Sequence, residues 1–168
     1  HTDGTTNKVY TATEKTKLGF RMAYSILDKC AFLLNKYLAL GIKDTDINLN
    51  TLWFTGRKPD RAKPNDNLNP SIVDKLGRPF RGLFWLARDI HDRGALRDPI
   101  DPAAQELKAV RDHLEHKYLK VHETLIPTDA AAADSGMRDQ YARSIALGSL
   151  EDKTLTLLRL ARSAITYL

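Results

Sequence analysis

The sequence predicts an all-α protein, a helical bundle of four or more main helices joined by long loops. Two observations predict it. Apolar residues recur at spacings of three and four in four separate stretches, 11–41, 77–94, 102–123 and 149–168. Between them run connections rich in Pro, Gly, Asn and Asp, with at most a scrap of extended chain, no internal repeat and no glycine-rich phosphate loop. A chain of 168 residues, 42% hydrophobic and 28% charged, suits a single domain with its own core. Residues 11–168 are expected to form that domain, excised from a longer protein, with 1–10 as a disordered leader or tag remnant.

The first element is "TATEKTKLGFRMAYSILDKCAFLLNKYLALG". Phe20, Ala23, Leu27, Cys30, Leu34 and Leu38 form its apolar stripe, and Gly41 supplies a stop. "INLNTLWF" (47–54) alternates apolar and polar and reads as a short strand or extended packing segment. "TGRKPDRAKPNDNLNP" is a loop by composition, and its first half is basic through Arg57, Lys58, Arg61 and Lys63. "GRPFRGLFWLARDIHDRG" (77–94) places Pro79 just inside a helix and Gly94 just past it. Its buried face is expected to be Phe80, Leu83, Phe84, Ala87 and Ile90, with Trp85 and Leu86 beside it. "DPIDPAAQELKAVRDHLEHKYLKVHE" has Asp101 as N-cap and Pro102 as first residue of a helix running to about Glu123. "QYARSIALG" has no clear period and is at most a short extended piece. The last helix starts at the Ser149/Asp152 pair, with Leu155, Leu158, Ala161, Ala164, Ile165 and Leu168 as its stripe.

The single cysteine, Cys30, excludes a disulfide framework and a cysteine zinc cluster, and fits a reducing, cytoplasmic setting. No apolar run reaches the length of a membrane span, so no membrane partner is expected. A net charge of +5 and an isoelectric point near 9.3 tilt the chain toward polyanionic partners.

The 102–123 helix carries the densest chemistry. On a helical wheel Ala103, Leu107, Val110, Leu114, Tyr118 and Val121 share a core arc, while Lys108, Arg111, Asp112, Glu115 and His116 share the neighbouring arc. Leu119 falls on the polar side, as a single exposed leucine. Three readings compete for the cluster. As solvated surface, Arg111 with Glu115 is an ordinary helix pair. As a metal site, His113 and His116 have neighbouring cations against them and lack the zinc-protease spacing, so no metal is expected. As a phosphate site, Arg111 offers a forked permanent charge, His116 a proton carrier and Asp112 a carboxylate four residues before that histidine. Arg111 and His116 are about 140° and roughly 7.5 Å of rise apart, so one helix makes an incomplete site.

"RDHLEH" resembles the signature of the HEPN superfamily (higher eukaryotes and prokaryotes nucleotide-binding): arginine, a polar residue, three more residues, then histidine. Arg111, Asp112 and His116 match it position by position. "RDHLEHKYLKVH" and "LTLLRLARSAITYL" are similar to a prokaryotic stand-alone subgroup. The resemblance implies a HEPN-like helical bundle whose motif helices face each other across a homodimer cleft. It implies a metal-independent endoribonuclease with no cofactor, in an antiviral defence, toxin–antitoxin or stress-response setting, with a regulatory domain or antitoxin as a further partner. His116 would be general acid or base for 2′-OH transesterification, Arg111 would neutralise the phosphorane and Asp112 would orient the histidine. RNA contacts are expected from Arg78, Arg81 and Arg88, and from Arg57 and Lys58 of the basic loop. The competing expectation is a catalytically silent domain that binds nucleotides or RNA, or that serves dimerisation and regulation.

Overall fold

A computed structural model describes residues 3–53, 69–73, 77–91, 103–123 and 142–168. Five helices and two strands follow in the order α1 (Asp3–Tyr37), α2 (Pro70–Val73), α3 (Arg78–His91), α4 (Ala104–His116), β1 (Tyr118–His122), β2 (Ala142–Ala146) and α5 (Leu147–Thr166). The four long helices pack around one core. α1 contributes Phe20, Leu27 and Leu34, α3 Leu83 and Ile90, α4 Leu107 and Val110, and α5 Leu150 and Leu157. Among the described residues no helix is long and apolar enough to cross a membrane.

α1 buries the stripe read from its sequence, Cys30 included, with Leu38 partly buried behind it. The helix begins earlier than its periodicity indicates, so that residues 3–10, read as a leader, are helical. It ends at Tyr37, and the turn beyond is held by buried Asn35. The Asn35 side-chain amide donates to the Ile42 carbonyl at 2.7 Å and its oxygen accepts from the Ile42 N–H at 3.2 Å. Left-handed backbone at Ala39 (φ 50) and Gly41 (φ 73) turns the chain out of the helix.

Residues 49–53 form a turn, and of the short strand or extended packing segment that alternation suggests for 47–54 no strand forms over the described residues 47–53. The reason is local. The Asn48 side-chain oxygen accepts from the N–H groups of Asn50 and Thr51, both at 3.0 Å, and the Thr51 hydroxyl accepts from Asn48 N–H at 2.9 Å. These bonds satisfy backbone donors that a ladder would otherwise claim. Leu49, Leu52 and Trp53 are buried by this turn, and the Trp53 ring meets Phe84 edge to face at 5.5 Å.

α3 starts with Pro79 in its first turn, where a missing N–H costs nothing. Its buried residues are Leu83, Leu86, Ala87, Arg88 and Ile90. Phe80 and Phe84 are only partly buried, and Trp85 is 40% exposed instead of lying beside the core. Gly82 receives the Tyr167 ring, and a Cβ there would stand 2.8 Å from that ring. The close approach explains why the helix tolerates a glycine mid-way. Gly94, Asp101 and Pro102 lie outside the described residues.

The largest difference from the sequence reading is in α4. The helix stops at His116, Lys117 is extended (φ −142, ψ −161), and the chain continues as β1. β1 pairs in parallel with β2 in the register Tyr118↔Ala142 to His122↔Ala146. The extended piece suspected in "QYARSIALG" is therefore real. Switching from a helical to a strand period inverts the two residues at the junction. Tyr118, expected in the core, is 71% exposed, while Leu119, expected outside, is 8% exposed. Leu119→Ala should accordingly lower stability by about 2 kcal/mol, as for a buried leucine. Tyr118→Ala should stay within about 0.5 kcal/mol of wild type. Chemical denaturation of the two variants checks this, and the opposite ranking would restore a continuous helix.

α5 is also phased differently. Leu150, Thr154, Leu157, Ala161 and Ala164 are its buried residues, so only Ala161 and Ala164 of the expected stripe face inward. Leu155, Leu158, Ile165 and Leu168 are exposed. The apolar arc of the helix is wider than the stripe it buries, so periodicity alone does not set its phase. Packing sets it: Leu150, Thr154, Leu157, Ala161 and Ala164 are the residues that face the core, and a Cβ on Gly19 of α1 would be in ordinary contact with the Thr154 methyl at 3.6 Å. The Ser149/Asp152 start is not used either, since the helix begins at Leu147 with Ala146 as an N-cap that makes no side-chain bond.

Candidate nucleic-acid interface

Arg111 and Asp112 stand on the flank of α4 between α1 and α3. The Arg111 guanidinium lies 5.3 Å from the centre of the buried Tyr24 ring of α1, a cation–π contact that fixes where the charge sits. Asp28, one turn along α1, accepts weakly from Leu49 N–H at 3.4 Å. Burial pushes the Asp28 carboxyl above its usual range, while that bond and the Arg111 charge pull the other way. Burial likewise pushes the Tyr24 hydroxyl well above the ordinary phenol range, with the Asp28 charge adding to it. Tyr24 is therefore a neutral platform for the arginine and not an acid or base at neutral pH.

Asp112 is held by cations on its own helix. Lys108 Nζ donates to its Oδ2 at 2.8 Å, and Arg111 Nη1 is 3.7 Å from Oδ1. Burial raises the Asp112 carboxyl. The Lys108 hydrogen bond and charge, with Arg111 and His116 behind them, outweigh that and keep it below its usual range. Asp112 is thus a carboxylate with its charge already balanced. The hydrogen bond to His116 expected of it is not formed among the described residues.

His116 is the last residue of α4 and is exposed. The helix end that carries it is tied to α1, because Arg21 Nη2 donates to the Leu114 carbonyl at 2.6 Å and Arg21 Nε lies 3.2 Å from Glu115. That carbonyl is one of the last-turn acceptors without a partner inside the helix, so a side chain from another helix supplies its cap. His113 sits on the far flank. Its Nδ1 is 2.7 Å from the Ala109 carbonyl, which requires a proton on Nδ1. Glu106, at the start of α4, pairs with Lys153 at 2.6 Å and reaches Arg143 at 4.0 Å. The Lys153 hydrogen bond and charge lower its carboxyl.

The structure adds a group that sequence reasoning passed over. His91, at the end of α3, is close enough to the same flank of α4 to feel its charges. Its Nε2 is buried with no hydrogen-bond partner. Burial first, then the Lys108 and Arg111 charges, drive its imidazole down to about 4, against a partial upward pull from Asp112. Nothing in "ARDIHDRG" marks this histidine, because its partners are supplied by another helix.

The expected RNA-contacting arginines divide. Arg78 and Arg81 are exposed on α3, while Arg88 is only 7% exposed, with its guanidinium 5.7 Å from the Phe84 ring. Arg88 is thus a core residue of α3 and not a surface phosphate contact, since its helix phase points it inward with Ala87 and Ile90. Arg57 and Lys58 lie outside the described residues. No cluster of three or more His, Cys, Asp or Glu that could hold a metal occurs among the described residues. Two grooves of about 500 and 300 Å³ lie on α1 at Lys8 and Lys15 and on α5 at Arg159 and Arg162, and neither is lined by Arg111 or His116.

An all-α bundle with an arginine and a histidine five positions apart on a late, amphipathic helix defines a HEPN-type domain. The chain matches the LA2681-like HEPN family over residues 3–168 and belongs to that family. No curated protein and no solved structure matches it. Family membership points to a nucleotide- or RNA-related function.

Proposed function

We propose that this domain is a metal-independent endoribonuclease, in which two copies of α4 face each other and supply one cleft with two Arg111 and two His116 side chains. The observation that carries the reading is the placement of Arg111: a partly exposed guanidinium fixed on Tyr24, on a flank that also holds Lys108, with the exposed His116 at the end of the same helix. One His116 takes the proton of a ribose 2′-OH as its oxygen attacks phosphorus. The bond from phosphorus to the 5′-oxygen breaks, and the second His116 gives that oxygen a proton. The products are a 2′,3′-cyclic phosphate and a 5′-OH. Arg111 stabilises the charge that builds on the phosphorane oxygens. An antiviral, toxin or stress-response setting is part of the same proposal.

The second reading is a catalytically silent domain that binds nucleotides or RNA. It is favoured by the ion pairs themselves, because Lys108 and Arg111 are both engaged with Asp112. The deciding experiment is cleavage of end-labelled single-stranded RNA by wild type and His116→Ala, both folded, in excess EDTA. Cleavage by the wild type alone, ending in cyclic phosphate, supports the nuclease. Binding without cleavage by either protein supports the silent domain.

A further inference from the structure

The apolar residues that periodicity assigns to the core of α5, and that the structure leaves outside it, are not scattered. Leu155, Leu158 and Ile165 are between 45% and 56% exposed, and Gly148, Glu151 and Arg162 are exposed with them. In order, Gly148, Glu151, Leu155, Leu158, Arg162 and Ile165 follow one another at steps of three, four, three, four and three. That is the spacing of a coiled-coil seam, and it runs along the solvent side of a helix whose other side is buried. The chemistry along the seam is also self-complementary about its midpoint. Turned end for end, a second copy of the seam sets Leu155 against Leu158, Glu151 against Arg162 and Gly148 against Ile165. A Cβ on Gly148 would meet nothing within 4 Å, so there is room for the isoleucine. In the same alignment the exposed Asp152 and Arg159, on one flank of the seam, come within about 3 Å of each other along the axis. Parallel pairing would put Glu151 on Glu151 and Arg162 on Arg162, so the charges select the antiparallel arrangement.

We propose that the solvent side of α5 is a docking surface for a second copy of this chain, whose own α5 packs on it antiparallel about a two-fold axis between Thr156 and Leu157. Each pairing then occurs twice, as in any isologous contact. Glu151 and Arg162 form no ion pair with other described residues, so both charges are available to the second copy. Two and a half heptads are too few to hold free peptides together. Here α5 is already folded against the core, so pairing requires no helix nucleation. The surface is separate from the proposed α4 cleft. α1 turns Gly19 to Thr154 of α5 and Tyr24 to Arg111 of α4, on sides about 140° apart. The α5 contact therefore does not rest on the nuclease reading. Where both two-fold contacts form, the assembly has four copies or grows as an open chain.

The test is a charge swap between copies, read by sedimentation equilibrium and by native mass spectrometry with one variant isotope-labelled. Glu151→Arg alone and Arg162→Glu alone each bring like charges together twice per pair. Each should weaken self-association by at least about tenfold. Mixed with each other, the two variants are complementary at both positions and should pair at close to wild-type strength. The double variant Glu151→Arg/Arg162→Glu should regain self-pairing. It should also sort from the wild type, each pairing with itself alone, which decides the matter if a single variant does not fold. Recovery in the mixture, or sorting of the double variant, establishes the antiparallel α5 contact. Loss without recovery overturns it, as does a wild type still monomeric at about 1 mM. An assembly that no swap disturbs overturns it too, and moves the contact between copies to another face such as the α4 flank.

Discussion

Arg111→Ala is expected to reduce RNA cleavage by about 10²–10³-fold, the loss typical of removing one donor that stabilises an oxyanion. It should do so with only about 1 kcal/mol of lost stability. The guanidinium is partly exposed, and its contacts are one cation–π interaction with Tyr24 and one loose pairing with Asp112. Arg111→Lys separates the two contributions. A lysine keeps the charge but not the fork, so it should retain most of the stability and recover only part of the rate. Cleavage time courses beside thermal melts of the three proteins make the check. If stability falls while RNA binding and cleavage are unaffected, or were never present, Arg111 is a structural residue and the face is a helical interaction surface.

Stability should fall by roughly 3 kcal/mol as pH drops from 6.5 to 4, and His91 is the reason. In the unfolded chain this histidine takes a proton at its ordinary value, but in the folded protein only near 4. Between those two values the unfolded state binds more protons, so each step down in pH favours unfolding. The window is distinct from that of the carboxylates. Asp112 and Glu106 are held low by their partners, so their contributions are intact at and above the ordinary carboxylate range and are lost below it. Asp28, which is raised, acts in the opposite direction as pH falls. His91→Leu should flatten the pH 6.5–4 slope and leave stability at pH 7 unchanged or slightly higher, because it removes an unbonded buried atom. Denaturant midpoints of both proteins across that range provide the measurement. An unchanged slope in the variant would falsify the assignment.

Those two results concern residues that differ in how they were found. Arg111 and His116 are legible from the chain, because one helix carries both and their spacing is local. Their setting is not. Tyr24 lies 87 positions before Arg111 in the chain, and Arg21 reaches Leu114 across a separation of 93 residues. Spacing alone offers Asp112 the His116 imidazole, four residues on. Lys108 stands at the same spacing on the other side and takes the carboxylate, because a lysine in reach is a permanent cation.

The chain by itself determined the fold class, the α1 stripe, the α3 helix and the motif residues, all of which depend on spacings within a few turns. It determined the approximate extent of α5 as well. Tertiary structure decided which side of α5 is buried, where α4 gives way to a strand, and which charges surround Asp112. The physical reason is common to the three. The apolar arc of α5 is wider than the stripe it buries, so its phase within that arc is set only when Leu150, Thr154, Leu157, Ala161 and Ala164 meet the core. "KYLKVH" extends because β2 offers it backbone partners from 142–146, and no local pattern encodes that pairing. His91 feels the charges of Lys108, Arg111 and Asp112 for the same reason, because they come from another helix and not from its own sequence neighbours.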